Sequence, residues 1–165
     1  MGKGSQFFFE LPLLIAEEAN YKTTVFTEEQ LKSKAVTLAG ISILIAEDNA
    51  FNTMVVKDDL EWYIPNANLT IVGNGQQAVE KFKAKTFDLI LMDVQMPEMN
   101  GYQATKAIRR LEASNNVEKP IPIIAMTASL LKEQISKCFD AGMDSYIPKP
   151  YKQEELVNTL YESLT

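Results

Sequence analysis

Residues 87–93 read Phe-Asp-Leu-Ile-Leu-Met-Asp. Four apolar side chains, Leu89 to Met92, follow one another without a polar break, and the run then ends in a carboxylate, Asp93. A run this short and this continuous reads as a strand buried on both faces, the form strands take in a parallel sheet covered by helices. Ending such a strand in Asp93 brings a charge to the rim of a core, and that charge requires a partner.

Similar runs recur on both sides. They are Ile41 to Ala46, Leu69 to Val72, Ile121 to Met126 (with Pro122 near its start, where a missing N–H is tolerated) and Ser145 to Ile147. Between them lie segments of helical period. Ala104, Ala107, Ile108 and Leu111 form an i, i+3, i+4, i+7 stripe, and Ala78, Val79 and Phe82 a shorter one. Leu131, Ile135, Cys138 and Phe139 form another, Leu156, Val157, Leu160 and Tyr161 mark a last helix, and Phe51 to Tyr63 supplies the first. Pro65 with Asn66, and Gly142, are stop signals in the expected places. Five strands alternating with five helices predict an α/β fold with a parallel sheet and helices on both faces.

Composition narrows the function classes. The chain has 165 residues and a formal net charge of −6, a sign that disfavours nucleic acid and anionic lipid as partners. A single cysteine excludes an internal disulfide and fits a reducing compartment, so a cytoplasmic location is expected. No apolar run approaches the roughly 20 residues of a membrane helix, so no membrane contact is expected of this segment. There is no histidine at all, which removes His-based metal sites, Ser-His and Cys-His nucleophiles, and any internal phosphohistidine.

The polar residues at the strand ends carry the chemistry. Glu47 and Asp48 follow the first run, Asp93 the third, Thr127 the fourth and Lys149 the fifth. In an open parallel sheet these carboxyl ends share one edge, where ligands bind. Three converging carboxylates repel, and a hard divalent cation such as Mg²⁺ resolves the repulsion. With Mg²⁺ and the Lys149 ammonium the charges sum to zero. Such a site can accept a phosphoryl group on a carboxylate nucleophile. Each piece alone has a plainer reading: Asp48 or Asn49 as a helix N-cap, Thr127 as an ordinary strand-end residue, Lys149-Pro150 as a turn. Their joint occurrence in order, each at a strand's C-terminal end, favours the site. The methionines, Met54, Met92, Met96, Met99, Met126 and Met143, read as core or loop packing.

At Ile43 to Asn49, Asp88 to Gly101, Ile123 to Ala128 and Asp144 to Pro150 the chain resembles the receiver domain of two-component response regulators. That resemblance implies a doubly wound, flavodoxin-like sheet of strand order 2-1-3-4-5 over residues 41–165. It also implies roles. Asp93 is the phosphoacceptor, Asp48 the main acidic Mg²⁺ ligand with Glu47 assisting, and the backbone carbonyl of Gln95 a further ligand. Thr127 and Lys149 hold the phosphoryl group, and Tyr146 is the aromatic that turns inward with Thr127. The Lys149–Pro150 peptide is expected to be cis. Many members carry Asp where this chain has Glu47. The plainer reading of Tyr146 is an edge-strand aromatic packed on the last helix.

Residues 1–14, with Gly2-Lys3-Gly4-Ser5-Gln6-Phe7, resemble the end of the ATP-binding domain of sensor histidine kinases, and residues 15–40 read as a linker with a helical stretch around Glu28 to Ala35. The expectation is therefore a fragment of a hybrid sensor histidine kinase, not an enzyme in itself beyond self-phosphorylation and autodephosphorylation, whose parent is a membrane-anchored or cytoplasmic protein-histidine kinase. Its partners would be a phosphohistidine domain as donor and a histidine phosphotransfer protein as acceptor, since no DNA-binding segment follows the last helix. The rival readings are a Mg²⁺-dependent Asp-nucleophile phosphatase, disfavoured because Asp93 lies far from Glu47-Asp48, and a degenerate docking-only receiver.

Overall fold

A computed structural model describes residues 27–165. In chain order the elements are α1 (Glu28–Thr37), β1 (Ser42–Ala46), α2 (Ala50–Tyr63), β2 (Asn68–Val72), α3 (Gly75–Ala84), β3 (Leu89–Asp93), α4 (Gly101–Ser114), β4 (Ile123–Thr127), α5 (Lys132–Asp140), β5 (Ser145–Pro148) and α6 (Gln153–Leu164). The strands are all parallel and ordered β2-β1-β3-β4-β5. Residues 1–14, read as a kinase-domain remnant, and residues 15–26 of the expected linker lie outside the described residues.

Strand geometry explains the two-sided core. Successive side chains point to opposite faces. Leu44, Ile90, Met92, Ile123 and Ala125 pack on one face with Ala78 and Val79 of α3, Ala104 and Ile108 of α4, and Cys138 of α5. Their alternates Ile43, Ile45, Leu89, Leu91, Ile124 and Met126 pack on the other with Val56 and Leu60 of α2 and Leu156 and Leu160 of α6. Each fully buried aliphatic side chain contributes roughly 1.5–3 kcal/mol. Converting Leu89 or Ile124 to a polar residue would therefore break a layer.

Local edges differ from the sequence expectation in instructive ways. β3 begins at Leu89, because Asp88 turns its carboxylate to the Ser42 N–H at 2.7 Å. β4 begins at Ile123, and Pro122 serves the sheet with its carbonyl, accepting from the Ile90 N–H at 2.9 Å. On α5 only Cys138 of the expected apolar stripe is buried, while Leu131 and Phe139 are exposed. On α2, Val56 and Leu60 are buried but Phe51 and Met54 face solvent. Tyr146 packs on the face of α3, α4 and α5, with its ring 6.4 Å from that of Phe139 in a T-shaped contact, so its neighbour is α5 and not the last helix.

The helix expected near Glu28 to Ala35 is α1, opened by a capping box in which Thr27 accepts from the Gln30 N–H and Gln30 accepts from the Thr27 N–H. Its Leu31 and Ala35 bury against Val157 of α6, with Tyr63 alongside, and Lys34 bonds Asn158 and lies over the Tyr161 ring. Opposite the site edge, Arg109 gathers three chain segments. Its guanidinium donates to Glu112 (2.7 Å), the Ile121 and Gly142 carbonyls (2.9 Å each) and Asp144 (2.7 Å). Glu112, only 4% exposed, also accepts from the Ile121 N–H.

Candidate functional site

Register brings the strand ends together. Ala46 pairs with Met92 and Asp93 with Met126, so the residues after β1 stand beside the end of β3, and Thr127 pairs with Pro148, one residue before Lys149. Backbone bonds fix the exits: Glu47 N–H to Val72 O at 3.0 Å, Val94 N–H to Met126 O at 3.2 Å, and Lys149 N–H to Thr127 O at 2.7 Å. The Lys149–Pro150 peptide is cis, as expected.

The result is a cavity of about 450 Å³ lined by Glu47, Asp48, Asn52, Asp93, Gln95, Thr127, Ser129 and Lys149, among others. One oxygen from each of Glu47, Asp48 and Asp93 lies within 4.8 Å of the others. Lys149 forms ion pairs with both Glu47 and Asp93, the latter at 3.0 Å. Asp93, 8% exposed, also accepts from the Gln95 N–H at 3.2 Å. Burial pushes the Asp93 carboxyl above its ordinary value, against the pull of Lys149, with Glu47 adding to the rise and the Gln95 N–H opposing it. Thr127 is buried, and its hydroxyl exchanges hydrogen bonds with the Ser129 backbone.

Asn49 is the N-cap of α2, accepting from the Phe51 and Asn52 N–H groups, so Asp48 is not spent on capping and stays exposed at the cavity mouth. An all-oxygen donor set at this spacing suits a hard divalent cation of the Mg²⁺ class. Of the sequence-predicted residues, Tyr146 does not line the cavity. It lies on β5, paired in register with Ala125.

Two glycines permit close approach of the loops around Asp93. A Cβ on Gly101 would sit 2.2 Å from the Asp93 carbonyl oxygen, and one on Gly75 would sit 2.5 Å from that of Met99. Buried Asn74 caps α3 and also donates to Glu98 at 3.1 Å, which ties α3 to the loop after β3. Asn52, Asn74 and Ser129 also contribute, although none of them ends a strand and so none is marked in the sequence. For Asn52 the available signal was its place three residues after the Asn49 cap, where Glu or Gln is usual.

The sequence profile of the response regulator receiver domain matches residues 43–161. The chain belongs to that family. The hybrid signal transduction histidine kinase K of Dictyostelium discoideum is 34% identical over 93% of the receiver chain, which spans 12% of that relative. Across the histidine kinases compared, the chain spans 6% to 15% of their length. Among solved structures, the receiver domain of sensor histidine kinase PA1611 from Pseudomonas aeruginosa, with a magnesium ion in its active site cleft, shares 37% identity at a TM-score of 0.67, covering 76% of this chain and 98% of that one. The receiver domain of Ssk1 in complex with the histidine phosphotransfer protein Ypd1 of Saccharomyces cerevisiae was solved as well, and that match has 31% identity and a TM-score of 0.69 over 74% of this chain and 87% of that one. The receiver thus belongs to two-component signalling, and its relatives are hybrid histidine kinases. No helix among the described residues is long and apolar enough to cross a membrane.

Proposed function

We propose that this receiver is a phosphorelay switch in which Asp93 takes a phosphoryl group from a phosphohistidine. The observation that carries the reading is the meeting of Asp93 with Glu47, Asp48 and Lys149 in one cavity. A carboxylate oxygen of Asp93 forms the new P–O bond while the P–N bond to the donor imidazole breaks, and the departing imidazole keeps that electron pair. Lys149 pairs with a phosphoryl oxygen and Thr127 offers its hydroxyl to another, a task of positioning and charge stabilisation. Glu47, Asp48, Asp93 and the Gln95 carbonyl would hold Mg²⁺, which supplies neutralisation of the charge on the transferring oxygens.

The donor histidine must come from another domain, because the chain contains none. A groove of about 720 Å³ beside the site, lined by Phe51, Val55, Pro150 and Tyr151, offers that domain an apolar seat next to Lys149. The hybrid-kinase relatives support a parent protein-histidine kinase. In this reading residues 1–14 are the tail of its ATP-binding domain, 15–40 the connection and 41–165 the receiver, all on the cytoplasmic side. The solved complex of a relative supports relay to a histidine phosphotransfer protein. Phosphorylation replaces one negative charge on Asp93 by nearly two. Thr127 and Tyr146 then change position and alter the face of α5, β5 and α6.

The test is incubation with Mg²⁺ and acetyl phosphate, or beryllofluoride, followed by mass or NMR detection. The parent is modified once and Asp93→Asn is not. Equal modification of the variant overturns the assignment, and sustained turnover of phosphate esters would favour a phosphatase instead.

A further inference from the structure

Glu47 is the acidic residue with the least freedom in the site. Its side chain is 1% exposed, and both oxygens are engaged. Oε2 meets the Lys149 ammonium. Oε1 accepts from the side-chain amide of Asn52 at 2.9 Å and, more distantly, from the Asn49 N–H at 3.3 Å. Asn52 occupies the third position of α2, from which a capping-box side chain would ordinarily reach back to the N-cap N–H. Here that N–H is given to Glu47 instead, and the third-position amide bonds the same carboxylate oxygen. The helix start and the acidic residue therefore close on each other, and Asn52 lines the cavity that holds Asp93.

We propose that Asn52 is a positioning residue of this site: its amide fixes the Glu47 carboxylate, and through Glu47 the Lys149 ammonium, in the orientation that the metal and the phosphoryl group need. The inference rests on the reading of the Asp93 cavity as a Mg²⁺-assisted phosphoacceptor. Its physical basis is that a longer acid in the first acidic position has one more rotatable bond than Asp and needs an extra tether to hold one geometry. An outer hydrogen bond of this type orients a ligating carboxylate, and loss of such partners typically lowers metal affinity about 10- to 100-fold. Asn52→Ala removes the tether. Asn52→Asp keeps the shape but turns the donor into a carboxylate facing Oε1. Asn52→Gln keeps an amide on a longer stem.

The experiment is Mg²⁺ titration of the purified chain by NMR, followed by the first-order decay of the acetyl-phosphate-labelled protein and a melting curve without metal. Asn52→Ala is expected to raise the Mg²⁺ midpoint about tenfold, and Asn52→Asp to change the midpoint and the decay rate as well. Asn52→Gln should return the midpoint to within about threefold of the parent. Metal-free melting of the Ala and Gln variants should match. Midpoints and decay rates equal to the parent in both Ala and Asp variants overturn the inference, as does loss of melting temperature with an unmoved midpoint. A parent chain that Mg²⁺ does not titrate overturns the site reading first, and is distinguished in that way.

Discussion

Gly101→Ala tests how the acceptor loop is built. The new methyl would lie 2.2 Å from the Asp93 carbonyl oxygen and 3.0 Å from its carbonyl carbon and from the Val94 Cα, all backbone atoms that cannot swing aside. Reaching even 3.0 Å, below which Cβ atoms are essentially never found, requires a displacement of about 0.8 Å between the start of α4 and the end of β3. The Gly101 N–H bond to Val94 O, now 3.1 Å, and the Val94 N–H bond to Met126 O, now 3.2 Å, must absorb that movement. Overpacking against fixed atoms costs about 1–3 kcal/mol, and alanine's better helix propensity returns less than 1 kcal/mol of it. The net loss of about 2 kcal/mol corresponds to roughly 4–8 °C in melting temperature for a domain of this size. Labelling by acetyl phosphate should also slow at least about tenfold, since a displacement near 1 Å at a reacting centre is worth up to about 100-fold. Gly73→Ala is the matched control: nothing lies within 4 Å of its Cβ, so it should be neutral or slightly stabilising. A Gly101→Ala protein that melts within about 1 °C of the parent and labels at the parent rate would refute the close-approach argument.

Glu112→Ala strips Arg109 of its buried partner and leaves the Ile121 N–H without an acceptor. We expect a loss of about 3 kcal/mol in urea unfolding, with Mg²⁺ binding unchanged because the clamp lies away from the cavity. Lys149→Ala should tighten Mg²⁺ binding while slowing phosphoryl transfer. Because Glu47 and Asp93 then lose their common cation, Mg²⁺ should raise the variant's melting temperature more than the parent's; an equal increment would contradict the charge balance. Cys138 is buried, and burial pushes its thiol above the ordinary value, so the reactive thiolate is scarcer than in a free cysteine. Iodoacetamide at pH 8 should label the native protein more slowly than the protein in urea, and equal rates would contradict this burial.

The strands, their order along the chain and the polar residues at their ends were legible because each is local: a continuous apolar run, its terminal residue, the residue type. Parallel pairing then makes local ends converge without further information, which is why Glu47, Asp48, Asp93, Thr127 and Lys149 could be named together. What escaped was long-range or ambiguous in period. Arg109, Glu112, Ile121, Gly142 and Asp144 meet only in the folded chain, and Glu112 sits on a helix where a charge ordinarily marks the solvent side. The apolar spacing on α5 marks a helix without fixing its burial: three of the four residues are exposed or half-buried, because a short helix at the rim covers little of the sheet. Asn52, although it stands three residues after the Asn49 cap, is hard to single out because a polar residue in the first turn of a helix is common, and its partner precedes the helix.

The seat of α1 on α6 bears on where the boundary of this receiver lies. The family profile opens at residue 43, and a recombinant boundary drawn there would discard Leu31 and Ala35. Val157, fully enclosed in the present structure, and one flank of Tyr161 would then face water as a bare strip along α6. Such a fragment would lose the packing that α1 supplies and should melt at a lower temperature than one that keeps it. A start at Thr27, ahead of the cap that begins α1, keeps the strip covered.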